Sequence, residues 1–159
     1  MRYDAAMIAK ARRTQHEQWL KTITSIPTAA GRERRVVRWI KQWVDARRLR
    51  MTIDPAGNLV VTQRSTRSRR RPVFITAHLV HPAFVVRRSI DDRTIELEFR
   101  GGVHDPYFTR ARVEIFDQRD RPHAASINSA ARPFKLVTAR LNRPSRGLMP
   151  GDVGRWQFA

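Results

Sequence analysis

The chain has 159 residues, 41% of them hydrophobic, which is enough for one domain with a core or for a small domain together with part of another. No stretch approaches the roughly 20 apolar residues of a membrane-spanning helix, so we expect no contact with a membrane. The chain has no cysteine, which excludes disulfides and thiolate metal sites, and it begins without a signal-peptide pattern, so the cytoplasm is the expected location.

The net charge of +18 comes from 32 basic and 14 acidic residues. Clustered cations favour nucleic-acid binding because they displace counterions from phosphates. Here only four basic residues are lysine, and the arginines are spread over almost every segment, as expected when a GC-rich genome drifts toward arginine codons. We therefore expect nucleic-acid binding to be nonspecific at most.

Two amphipathic helices are predicted at the start of the chain. Apolar residues recur at helical spacing over residues 5–26, and Pro27 ends that helix because proline disfavours helix at the preceding residue. A second helix is predicted within residues 32–49. We interpret its tryptophans as core residues, with an aromatic base-stacking platform as the alternative. The apolar residues of the second helix are Val36, Val37, Trp39, Ile40, Trp43 and Val44.

The pattern changes to strands after the second helix. Residues 51–62 read as strand, tight turn and strand, with Gly57 able to take a positive φ. Residues 63–71 form a polar, arginine-rich stretch that reads as a solvated hairpin tip, with a phosphate-binding finger as the alternative. Residues 73–77 are continuously apolar, which predicts a strand buried on both faces that ends at His78.

The remainder of the chain has a β pattern, and the composition changes near residue 86. Short apolar runs alternate with turn signals such as Gly101-Gly102 and Pro150-Gly151. Several short strands at such spacing favour a small barrel or sandwich. The predicted strands cover residues 84–88, 94–100, 112–116, 134–140 and 153–158.

Histidines are the main candidates for chemistry, because nucleophile elbows, phosphate loops and zinc-helix motifs are missing. His16, His104 and His123 read as surface residues. His78 and His81 follow the end of a predicted buried strand, where open α/β sheets place their ligand sites. A neutral imidazole there is suited to zinc.

The order of these elements resembles the glutamyl or deblocking aminopeptidase family, whose members form tetrahedral particles and use two co-catalytic metals. Three stretches carry the resemblance: residues 26–33, residues 54–59 and residues 77–86. Residues 101–103 and 150–154 also match the places where the inserted β-barrel of that family begins and ends. The third stretch opens with Ala77-His78-Leu79-Val80-His81-Pro82.

The resemblance implies an α/β fold class and a division of the chain into three parts. Residues 1–86 would be the N-terminal fragment of a mixed-sheet zinc-aminopeptidase domain, 87–152 an inserted small β-barrel, and 153–159 the start of the return to the catalytic domain. His78 matches the first metal ligand. Val80 stands where the family has an aspartate that orients that ligand, and valine cannot accept the imidazole N–H.

The resemblance implies an intact family that removes N-terminal residues from peptides with two divalent metals, zinc or cobalt. Its other ligands and its general base follow the barrel, whereas this sequence stops at Ala159. The expectation is a truncated, inactive member that does not bind the metals stably. The alternatives are a homo-oligomerisation or binding module, because the family's barrel contributes to subunit contacts, and a nonspecific basic nucleic-acid-binding protein.

Overall fold

The computed structural model describes residues 5–63, 73–131 and 135–157. Two helices come first, α1 (Ala5–Ser25) and α2 (Arg34–Ala46), followed by a hairpin of β1 (Arg50–Ile53) and β2 (Leu59–Thr62). These elements lie where the sequence pattern predicts them. Leu20, one of the apolar residues at helical spacing in α1, is 62% exposed. Within the described ranges, no helix is both long and apolar enough to cross a bilayer.

Six antiparallel strands form a closed barrel. The strand order is β3-β4-β7-β6-β5-β8, and a short 3₁₀ helix, Asp105–Phe108, lies between β4 and β5. The last strand pairs with both β3 and β5 and thereby closes the barrel. The strands are β3 Ala83–Ser89, β4 Thr94–Arg100, β5 Arg112–Phe116, β6 Pro122–Ala131, β7 Leu136–Leu141 and β8 Val153–Trp156.

The main core lies inside the barrel. In β4 buried and half-buried residues alternate, as expected for a strand with one face inward. Four aromatic rings pack together at one part of this core, with centroids 4.6 to 6.1 Å apart: Phe84, Phe99, Phe108 and Trp156. Aromatic pairs at these separations add to the stabilisation from burial.

The strand β6 is not predicted by the sequence pattern. Its residues are mostly alanine and serine, which have little intrinsic preference for strands. It forms because β5 and β7 hold it between them, and Ala125 and Ile127 turn inward to the core. Tertiary pairing therefore overrides the local preference.

The prediction of a buried strand at residues 73–77 (the 73–77 segment) is wrong. Residues 73–80 are irregular, and Val73, Phe74 and Ile75 are 89%, 75% and 95% exposed. No strand in the described part of the chain pairs with this segment, so its backbone has no ladder to join. Apart from Gln63, the predicted polar loop at 63–71 falls outside the described residues.

The barrel strands extend beyond the range expected for the inserted domain. The first four residues of β3 are buried, and Phe84 pairs with Gly154 of β8. The barrel therefore includes residues 83–86 and 153–156, and its first and last strands lie side by side. How the chain divides into domains stays a prediction.

The helical region is attached to the barrel by arginines and a small apolar cluster. Arg155 Nη1 donates to the Ser25 carbonyl at 2.6 Å, and Arg100 Nη1 donates to the Ala30 carbonyl at 2.5 Å. Ser25 is the last residue of α1, and Ala30 lies in the segment that joins α1 to α2. The buried residues beside them are Ala29, Ala83, Val85 and Val153.

A buried carboxylate, Asp117, organises the turn between β5 and β6. Its Oδ1 accepts the backbone N–H groups of Arg119 and Arg121, at 2.8 and 3.0 Å, and its Oδ2 accepts Arg121 Nε at 2.8 Å. His123 Nε2 lies 3.3 Å from Oδ2. The turn also contacts α2, because Arg35 of that helix donates to the Asp117 carbonyl at 2.9 Å.

The ionised form of Asp117 is favoured in the fold. Burial raises the pKa of this carboxyl, but hydrogen bonds from Arg121, Arg119 and His123 together outweigh burial and hold the pKa well below its ordinary value. A depressed carboxyl pKa adds stability above the unfolded pKa of about 4 and loses it as the pH falls toward the folded pKa.

We predict that Phe84→Ala lowers the free energy of unfolding by about 3 to 5 kcal/mol, because it leaves a cavity among packed aromatic rings. The matched control is Met149→Ala, whose side chain is 55% exposed and should cost much less. Urea unfolding followed by tryptophan fluorescence measures both. Equal losses in the two variants would contradict this packing.

We predict that Asp117→Asn lowers the free energy of unfolding by about 1 to 3 kcal/mol at neutral pH, because it weakens the bonds to Arg121 and His123. The difference from the unmodified chain should shrink as the pH falls below about 4. Urea midpoints over a pH series test this, with the exposed Asp45→Asn as control. A difference that stays constant with pH would contradict the assignment.

Candidate functional site

The histidine predicted as a metal ligand lies in the connection between the hairpin and the barrel. His78 is exposed, and His81 is half-buried in the same connection. Val80, which lies between them in sequence, is half-buried and offers no acceptor to an imidazole N–H. The structure thus puts His78 close to the start of the barrel along the chain, without the aspartate that the resemblance would place beside it.

The other histidines lie on separate elements. His16 is on α1, with its ring centroid 5.3 Å from that of Trp19. His104 is exposed and immediately precedes the 3₁₀ helix, and His123 faces Asp117. None of the three lies in the connection that holds His78.

The described residues do not assemble a metal centre. No group of three or more histidine, aspartate or glutamate side chains in the described ranges is arranged to hold a metal ion. A catalytic zinc site has three protein ligands and an open position, and a two-metal site needs more. The donor set around His78 therefore does not fit the two-metal centre of the family, and the role of His78 stays a prediction.

A polar cleft of about 360 Å³ lies where α2, the β5–β6 turn and the loop before β8 meet. The Arg32 guanidinium packs on Gly151, where a Cβ would lie 2.9 Å from Nη2. The buried Asp152 accepts Gln118 Nε2 and, at 2.8 Å, the Met149 backbone N–H. The Asp152 carboxylate is thus held by hydrogen bonds within the protein, and no histidine lines the cleft. We interpret the cleft as a structural joint.

The tryptophans of the two helices pack against each other. Trp19 and Trp43 make an edge-to-face contact with centroids 5.4 Å apart. The Arg47 guanidinium lies 4.2 Å from the centroid of the Trp19 ring and 4.0 Å from that of Trp43. The chain's own arginine thus occupies one side of each ring, which favours the packing interpretation over a base-stacking platform.

The structural roles of several arginines are not visible in the sequence. From the composition, the high arginine content was interpreted as an effect of codon usage. In the structure, Arg35, Arg100 and Arg155 each donate to a backbone carbonyl from another part of the chain. The partners lie 70 or more positions away in sequence, so no local pattern could have identified them.

The fold of this chain, two helices and a hairpin followed by a closed barrel, is similar to that of two solved structures. The structure of aminopeptidase APDkam598 from the archaeon Desulfurococcus kamchatkensis is similar with a TM-score of 0.72 and 19% identity, covering 91% of this chain and 43% of that one. PhTET1-12s, a dodecamer in the asymmetric unit, is similar with a TM-score of 0.66 and 19% identity, covering 87% of this chain and 44% of that one.

These similarities establish the fold and no more, because the identity is low. The chain spans less than half the length of either protein. No family model and no curated protein sequence matches it. The resemblance predicted from the sequence is thus supported at the level of an aminopeptidase-like fold.

Proposed function

We propose that this chain is part of a metal-dependent aminopeptidase-type hydrolase, of the glutamyl or deblocking kind, and that His78 is one metal ligand of that protein. The observation that carries the proposal is the fold similarity to APDkam598 over 91% of the chain. A second support is the sequence around His78, which keeps the family's ligand ahead of the barrel. Peptides would be the substrates and zinc or cobalt the metals of the complete enzyme.

The described residues alone do not carry the reaction. Metal-assisted peptide hydrolysis needs several converging ligands, a bound water and a general base of matched pKa. The connection around His78 supplies two imidazoles, and Val80 leaves His78 without the carboxylate that would fix its ring tautomer. We therefore propose that this chain does not hydrolyse peptides by itself.

We predict that zinc binds this chain only weakly, with a dissociation constant that is roughly millimolar, and that His78→Ala weakens the binding further. Isothermal titration calorimetry measures both, with His16→Ala as control because His16 lies on α1. If His78→Ala and His16→Ala behave alike, His78 is not a ligand.

The same preparations, loaded with zinc or cobalt, should not cleave aminoacyl-4-nitroanilides faster than the metal alone. The physical reason is the incomplete ligand set in the described ranges. Chelator-sensitive hydrolysis that disappears in His78→Ala would contradict the proposed inactivity while supporting the role of His78.

A second candidate function is a homo-oligomerisation module. The specific observation is the 73–77 segment, whose first three side chains are at least 75% exposed. The similar structure of PhTET1-12s is a dodecamer, which is a property of that protein. Exposed apolar patches of this kind mark association sites or aggregation hazards.

A further inference from the structure

Positive charge is concentrated in the helical region rather than in the barrel. Residues 5–50 contain 12 basic and 3 acidic residues, whereas residues 83–157 contain 14 basic and 9 acidic residues. Several acidic side chains of the barrel also pair with arginines within the fold, as Glu96, Glu98 and Glu114 do. The helical region therefore has an excess of cations that few acidic groups of the chain offset.

The α2 stripe consists of three of these cations, Arg34, Arg38 and Lys41. They follow one another at spacings of four and three residues, so they lie on one face of the helix. All three side chains are exposed, and within the described ranges none of them forms an ion pair. Arg35, by contrast, lies off the stripe and binds Asp120. The α2 stripe is thus a row of unneutralised positive charge.

The apolar side of α2 lies opposite the stripe. At about 3.6 residues per turn, Val36, Ile40 and Trp43 are on the other side of the helix. Val36 is buried and the other two residues are half-buried. Further polypeptide that completed the packing of α2 would cover this apolar side, because burying unpaired charges is costly. The α2 stripe would then remain accessible to solvent.

The composition of the stripe favours a polyanion over a protein surface as its partner. Protein interfaces are depleted of charged residues at their centres, where aromatic anchors fill pockets. The α2 stripe has no apolar side chain, and the exposed residues beside it on the helix are Gln42 and Asp45. Guanidinium groups bind phosphate with two parallel hydrogen bonds, and lysine binds it as a point charge. A row of phosphates therefore matches the stripe.

We propose that the α2 stripe binds the phosphate backbone of a nucleic-acid duplex without reading its sequence. No aromatic side chain belongs to the stripe, whereas proteins that hold single strands stack the unpaired bases on aromatic rings. Contacts to phosphates position a protein on a duplex and carry no sequence information directly. This binding is separate from the proposed hydrolase relationship, which concerns His78.

The test is fluorescence anisotropy of a labelled DNA duplex with the full chain at several sodium chloride concentrations. The double variant Arg38→Gln/Lys41→Gln removes two phosphate contacts and keeps good helix formers. Each contact contributes about 0.9 to the slope of log affinity against log salt concentration. We expect the slope to fall in magnitude by about 2, and the affinity at about 0.1 M salt to fall at least tenfold. Circular dichroism should stay unchanged.

The matched control is Lys135→Gln/Arg143→Gln, which removes one exposed lysine and one exposed arginine from the barrel. Its net charge equals that of the stripe variant. We expect its salt slope to stay within about 0.5 of the slope of the unmodified chain. The comparison separates the α2 stripe from general attraction by a chain of charge +18, including the arginine-rich residues 63–71.

Asp45 provides a test of opposite sign. It is exposed, four residues after Lys41 and on the same face of α2, so its carboxylate repels a phosphate bound to the stripe. Asp45→Asn should strengthen duplex binding about threefold at about 0.1 M salt. The control is Asp92→Asn, which removes an exposed carboxylate between β3 and β4 and should change the affinity little.

Weaker binding with a shallower slope in the stripe variant alone, together with tighter binding by Asp45→Asn, supports the proposal. Equal losses in the stripe variant and its barrel control overturn it, as does the absence of duplex binding at about 0.05 M salt. Tighter binding of poly-glutamate or of a single strand than of the duplex also overturns it. Zinc binding through His78 is measured independently, so a chain that binds zinc but no duplex rejects this surface and leaves the proposed hydrolase relationship standing.

Discussion

Closure of the barrel is the constraint on which the rest of the structure depends. The last strand, β8, pairs with β3 on one side and β5 on the other, so the inward side chains of all six strands share one core. Closure leaves no strand edge on the barrel. It also sets Phe84 beside Gly154, which brings the first and last strands together and leaves the helices and the hairpin outside.

The helical region that precedes the barrel is held against it by a different set of interactions. Its contact with the barrel combines the small apolar cluster around Ala29 with guanidinium groups that reach backbone carbonyls. Each arginine replaces the water that such carbonyls would otherwise bind. Asp117 belongs to the same system, because it fixes the turn that receives Arg35 from α2. Some of the high arginine content is thus structural.

Periodic patterns predicted the fold well wherever they repeat over several residues. The alternation of β4 and the helical stripe of α2 are examples. The alanine- and serine-rich β6 was missed because neighbouring strands, rather than its own sequence, hold it in place. The 73–77 segment shows the opposite case. Its apolar run predicts a buried strand, but the run does not specify which other residues would cover it. For the candidate metal site, the sequence identified His78 as the one candidate ligand.

His78 is the proposed metal ligand, and the described residues bring no group of three or more potential ligands together. The most direct measurement is a zinc titration followed by two-dimensional NMR of the histidine side-chain nitrogens. We predict that the His78 imidazole responds first and saturates only at roughly millimolar zinc, with His81 the only other ring affected. Tight binding with His78 unperturbed, or with His16, His104 or His123 responding first, would contradict the account.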